Sequence, residues 1–145
     1  MSMSPFYRKM RVKETAHVEK LAVKVVSADT TLQPEDSGKV ILMGSNGVDV
    51  TLPAATAGMY FKVIQTADYA TAVCTVVAST GDFLSGGVAS ADADDGELFN
   101  GSSHLTATFS TGTLAGDQIE LVSDGTVWFI SGSMSEGGAT GIVAS

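Results

Sequence analysis

Val48, Val50 and Leu52 alternate with Asp49 and Thr51, and Pro53 then stops the run. That period of two, cut off within a few residues by a turn former, recurs along almost the whole chain and most limits what it can fold into. A half-buried strand places successive side chains on opposite faces, and proline cannot donate to a sheet ladder. No apolar pattern of helical period extends beyond two turns. The strands read as Leu21–Val26, Lys39–Met43, Val48–Leu52, Tyr60–Thr66, Ala72–Ala78, His104–Phe109, Gln118–Val122 and Val127–Ser131. Two joints carry hairpin chemistry. Asn46-Gly47 lies between the second and third strands, and Asp124-Gly125 between the last two, where it fits a type I′ turn. Ala72–Ala78 is apolar on both faces and should be central. The stretch 81–101 reads as irregular, with Phe83, Leu84 and Val88 touching the core. The expectation is an all-β fold, a small antiparallel β-sandwich or barrel-like domain over residues 21–132. A basic arm (1–20) precedes it and a Gly/Ser-rich tail (133–145) follows, placed to thread onto a neighbour.

Charge divides the chain in the same way. Six of the eight Lys and Arg residues (Arg8, Lys9, Arg11, Lys13, Lys20 and Lys24) fall in the first 24 positions, while the whole carries a net charge of -8. An acidic body faces water and a basic arm reaches for something acidic. Alanine and valine supply much of the apolar content. A thin core is therefore expected, with oligomerisation as the remedy. No signal peptide and no membrane-spanning run is expected, since no stretch approaches ~20 apolar residues. The lone cysteine, Cys74, sits in an apolar run and reads as a buried small hydrophobe.

Chemistry is scarce. His17 lies in the arm and His104 opens a strand, with no Gly-x-Ser-x-Gly elbow to supply a nucleophile. No thiolate and imidazole set exists for a transition metal. Asp92, Asp94, Asp95 and Glu97 would suit a hard cation, but Gly96 falls fifth and Ser103 twelfth, so the spacing departs from an EF-hand loop and a solvated acidic loop is expected. Neither Ser85-Gly86-Gly87 nor Gly137-Gly138 leads a strand into a helix with a lysine, so no phosphate cradle is read. The chain reads as a non-enzyme without cofactor or metal. Nucleic acid is an unlikely partner for so acidic a body. Glu14 and Glu19 dilute the arm's charge, which favours an acidic protein surface over DNA.

Two segments resemble surface β-domains of tailed-phage virions. One is 32–64, where Thr51-Leu52-Pro53, four residues and Gly58 precede an aromatic strand, Tyr60-Phe61. The other is 116–132, where Gly116-Asp117 opens and Ser123-Asp124-Gly125-Thr126-Val127-Trp128-Phe129 closes a hairpin. Together they cover about a third of the chain. The resemblance implies a capsid decoration (cement) protein, commonly a homotrimer, made in the host cytoplasm and mounted on the capsid surface. It would bind the major capsid protein through its arm, with Phe6, Tyr7 and Met10 as apolar anchors and Arg8, Lys9, Arg11 and Lys13 as charge partners. A head or tail fibre module that binds a receptor or glycan is the alternative. The absence of a long shaft favours decoration, and an exposed aromatic platform would favour the fibre. Trp128, beside Phe129 in an alternating strand, is expected to pack inward.

Overall fold

The chain crosses from one sheet to the other at nearly every loop. In the computed structural model, which describes residues 20–68, 71–92, 96–136 and 141–145, the strands are β1 (Val23–Val26), β2 (Thr30–Thr31), β3 (Val40–Met43), β4 (Asp49–Thr51), β5 (Tyr60–Gln65), β6 (Cys74–Val77), β7 (Phe83–Ser90), β8 (Glu97–Asn100), β9 (Thr106–Phe109), β10 (Gln118–Ser123), β11 (Val127–Met134) and β12 (Ile142–Ala144). Seven form one sheet in the order β1-β3-β5-β10-β11-β7-β8, and five form the other in the order β12-β9-β6-β4-β2. The all-β architecture is as expected, but the sheets are mixed rather than antiparallel. β1/β3, β3/β5, β2/β4, β4/β6 and β7/β11 are parallel pairs. The reason is the alternation of layers. A strand that leaves for the opposite sheet and then returns lies beside its predecessor in the same direction.

Residues 23–77 thus wind as a flattened coil, each turn adding one strand to each sheet. The register advances 17 residues from Val23 to Val40 and 22 from Val40 to Lys62. On the other sheet it advances 20 from Thr30 to Val50 and 26 from Val50 to Val76. Unequal steps leave no fixed period in the sequence. The segment 44–47 is one of these crossings, so the hairpin expected there does not form. Asn46 does not adopt positive φ, while Gly47 does, at 75°. The Asn46 side chain instead tethers the neighbouring loop, its Oδ1 accepting from Ala72 N at 3.1 Å and its amide donating to Thr71 Oγ1.

The β10/β11 hairpin does form, with Ser123 opposite Trp128. Its turn is not type I′, because of the pair only Gly125 has positive φ (104°). Gly125 and Thr126 are the central residues, and glycine at the first of these is the type II′ arrangement. The Asp124 carboxylate secures the turn by accepting from Thr126 N (2.8 Å), Thr126 Oγ1 (2.9 Å) and Val127 N (2.9 Å). These bonds, that from Val127 first, hold its carboxyl below the usual carboxylate range.

Two segments hold more order than their composition suggested. Residues 81–101 contain the antiparallel pair β7/β8. Gly86 and Gly87 interrupt the apolar alternation that would have announced β7. Gly86 is required there, because at φ 141° a Cβ would lie 2.0 Å from the Ile130 carbonyl oxygen on β11. Leu84 and Val88 are buried as expected, while Phe83 is only half-buried. In the tail, β11 continues to Met134, and β12 folds back antiparallel onto β9 of its own chain.

The core lies between the sheets. Trp128 and Phe61 meet at 5.7 Å between ring centroids, and both are fully buried, with Phe109, Leu84, Ile119 and Leu121 also inside. Among the described residues only Ala78 and Ala107 represent alanine in the buried apolar set. The alanine part of the expected thin core is therefore corrected, since most described alanines lie in loops; valine is prominent in the core, as expected, beside leucine, isoleucine and aromatics. Cys74 is buried, its thiol 3.4 Å from the Ser45 carbonyl. Central placement of β6 in its sheet also holds.

Candidate interaction surfaces

The arm residues singled out above (Phe6, Tyr7, Arg8, Lys9, Met10, Arg11 and Lys13), and His17, lie outside the described residues. So do Asp94 and Asp95 of the acidic cluster. The two flanking carboxylates in the structure hold local bonds. Asp92 Oδ1 accepts from Ser90 Oγ at 2.8 Å, and Glu97 Oε1 accepts from Ala144 N at 2.9 Å, fastening β12 beside β8. Among the described residues no three His, Cys, Asp or Glu side chains converge as a metal site. His104 is half-buried. Its Nδ1 accepts from Asn100 N at 3.1 Å and its ring stands edge-on to Phe99, so the imidazole serves as a bracket for the loop after β8.

Asp36 is the strongest electrostatic feature described. It is 5% exposed and sits at the end of a short 3-10 turn, Pro34–Asp36. Its Oδ2 accepts from Gln33 N at 3.0 Å and from Lys24 Nζ at 2.8 Å, while Oδ1 accepts from Lys39 Nζ at 2.8 Å. The Gln33 backbone bond, then the two ammonium groups, hold this carboxyl far below the usual carboxylate range against the opposing effect of burial. The cluster fastens β1 to the residue before β3. It also uses up two of the body's few lysines, and Lys62 is paired with Glu120 at 3.5 Å.

The outer face of the seven-stranded sheet is the surface that sequence reasoning missed. Register places Val23, Val40, Lys62, Glu120 and Ser131 in one row across five strands. A second row runs Val25, Leu42, Ile64, Gln118, Ser133, and a third Tyr60, Val122, Phe129. Val23, Val25, Val122 and Phe129 are 54%, 61%, 44% and 49% exposed, and Leu98 at the far edge is 78% exposed. Lys62 and Glu120 are the only charged side chains in these three rows. Tyr60 is held protonated to higher pH than usual, first by burial and then by the Glu120 carboxylate beside it. Trp128 points into the core, as expected, and contributes nothing to this face. The missed signal was present in Tyr60-Phe61-Lys62-Val63-Ile64 and Val127-Trp128-Phe129-Ile130, which carry apolar side chains on both sides of the strand, interrupted on the outer side only by Lys62. Such runs are expected in sheets covered on both faces, and among the described residues the second sheet covers only one face.

No family model matches this chain, and no curated protein matches it.

Proposed function

We propose that this chain is a structural virion protein that binds the outer surface of a phage capsid, as a homotrimer, and stabilises the shell by clamping neighbouring capsid subunits. The carrying observation is the separation of charge. The basic residues cluster at the N-terminal end, while Lys24, Lys39 and Lys62 of the folded body are engaged with Asp36 and Glu120. Positive charge available to an outside partner is thereby concentrated in the arm. An arm that lays Arg8, Lys9, Arg11 and Lys13 along an acidic protein groove, with Phe6, Tyr7 and Met10 in apolar pockets, needs no catalytic group. Several arms in one oligomer would turn modest contacts into durable attachment.

The test uses purified shells that lack this protein. Full-length chain, and a version beginning at Lys20, are added and shell survival under heat is scored. Binding and protection by the full chain alone support the proposal. Failure of the full chain to bind shells overturns it and turns attention to receptor or glycan binding by the body.

A further inference from the structure

We infer that further copies of this chain pack on the outer face of the seven-stranded sheet, centred on Val122, Phe129 and the Lys62–Glu120 pair. The inference goes beyond the proposal above: it concerns a two-fold contact between copies, and depends neither on the trimer nor on capsid attachment.

Three observations point to a second copy. The first is the character of the face. Tyr60, Val122 and Phe129 are neighbours across three strands on this surface, Val122 and Phe129 being 44% and 49% exposed, and the exposed Val23 and Val25 lie on the same surface at its β1 edge. Large contiguous apolar patches on a folded domain mark interaction sites.

The second is size. Seven strands at about 4.8 Å spacing, each four to eight residues long over most of the sheet, give a surface of roughly 30 Å by 17 Å before side-chain relief is counted. That is of the same order as the ~800 Å² each partner buries in a stable interface.

The third is charge. A surface built for a strongly acidic or basic partner carries an excess of one sign, yet these rows carry one lysine and one glutamate, 3.5 Å apart on adjacent strands. A second copy related by a two-fold axis that runs along the strands between β5 and β10 sets its Lys62 over Glu120 and its Glu120 over Lys62. The face is therefore complementary to itself in charge as well as in its apolar character. Burial of the pair between copies is tolerable only because both signs are present, since an unpaired buried charge is costly.

The experiment measures the mass of the full chain by light scattering after size exclusion, over a dilution series up to roughly 100 μM, where even a micromolar Kd is populated. Wild type is compared with Phe129→Glu, Val122→Lys and, away from the face, Leu114→Glu. Circular dichroism establishes that each variant is folded. The expected result is an oligomer for wild type and Leu114→Glu, with dissociation at least tenfold easier for the two face variants. A wild-type monomer throughout the series overturns the inference without any variant. Folded face variants that keep the wild-type mass overturn it too, leaving self-assembly to another surface. A monomer that still binds shells would sink this inference and the homotrimer while leaving capsid attachment standing, and an oligomer that ignores shells would sink capsid attachment alone.

Discussion

Asp36→Asn isolates the charge at the junction of β1 and β3 with almost no change of shape. The carboxylate accepts three bonds, from Gln33 N, Lys24 Nζ and Lys39 Nζ, each at 2.8–3.0 Å. An asparagine with its carbonyl at the Oδ2 position keeps the first two as ordinary hydrogen bonds. Its amide then turns two hydrogens toward Lys39, which has to swing into water. Hydrogen bonds to charged groups contribute about 1.5–3 kcal/mol each. Both lysine side chains are about a third exposed, so solvent screening reduces their share, and a net loss of about 1–2 kcal/mol is expected. The sign with pH follows from the lowered carboxyl. Asp36 contributes its stability fully above the unfolded value of about 3.9, and loses it as pH falls toward the lower folded value. The assay is urea unfolding of wild type and Asp36→Asn at equal protomer concentration, at pH 7, 5 and 3. The difference between them should be full at pH 7 and 5 and smaller at pH 3. Other carboxylates titrate in both proteins and cancel. A difference below about 0.3 kcal/mol at pH 7, within the scatter of surface substitutions, or one that does not shrink at pH 3, would refute the reasoning.

Outcomes at four further positions are expected. Gly86→Ala should cost about 3 kcal/mol or more, or abolish soluble expression, because the new Cβ meets the Ile130 carbonyl at 2.0 Å. Gly58→Ala, also at positive φ but with nothing within 4 Å, should cost only about 1–2 kcal/mol, and thermal melts of the two separate steric clash from backbone strain. Asp117→Ala should cost about 2–4 kcal/mol in chemical unfolding, since this buried carboxylate accepts from Leu114 N, Ser135 N and Ser135 Oγ and its loss orphans those donors. Trp128→Phe should cost only about 1–2 kcal/mol, against about 3–5 for Trp128→Ala. Among the described residues the buried indole Nε1 has no hydrogen-bond partner, so phenylalanine removes an unsatisfied donor together with packing area. Circular dichroism is the readout, because the chain has no other tryptophan.

Much of the fold was legible because alternation reports faces directly. Val48, Val50 and Leu52 are buried as their spacing required, and Asp124-Gly125 marked a true hairpin. Alternation does not report partners. The same Val40–Met43 run would serve equally in an antiparallel hairpin with β4 or in a parallel ladder with β1 and β5, and the crossing of 44–48 to the other sheet makes it the second. Asn46-Gly47 misled because the asparagine's side chain, not its backbone, is what the loop uses. β7 was hidden because Gly86 must be small where two backbones nearly touch. β12 was hidden because three residues hold too little pattern to be seen, although Ile142 is fully buried. The apolar outer face was hidden by ambiguity, since a strand apolar on both sides looks the same whether or not a second layer covers it. The arm was legible as charge only, and its anchors remain expectations from composition.

The layer-crossing path also sets a timetable for synthesis. β5 cannot complete its ladder with β3 alone, because its other edge pairs with β10. Gln65 and Gln118 are 53 residues apart in the chain. At about 5–20 residues per second, a ribosome leaves that edge waiting for roughly 3–10 s. During the interval the nascent coil presents Tyr60-Phe61-Lys62-Val63-Ile64 as a mostly apolar strand with one edge unpaired, a template for any neighbouring chain. Yield in a host making many copies at once would then be governed less by the stability of the finished sandwich than by how well adjacent nascent chains are kept apart until β10 arrives.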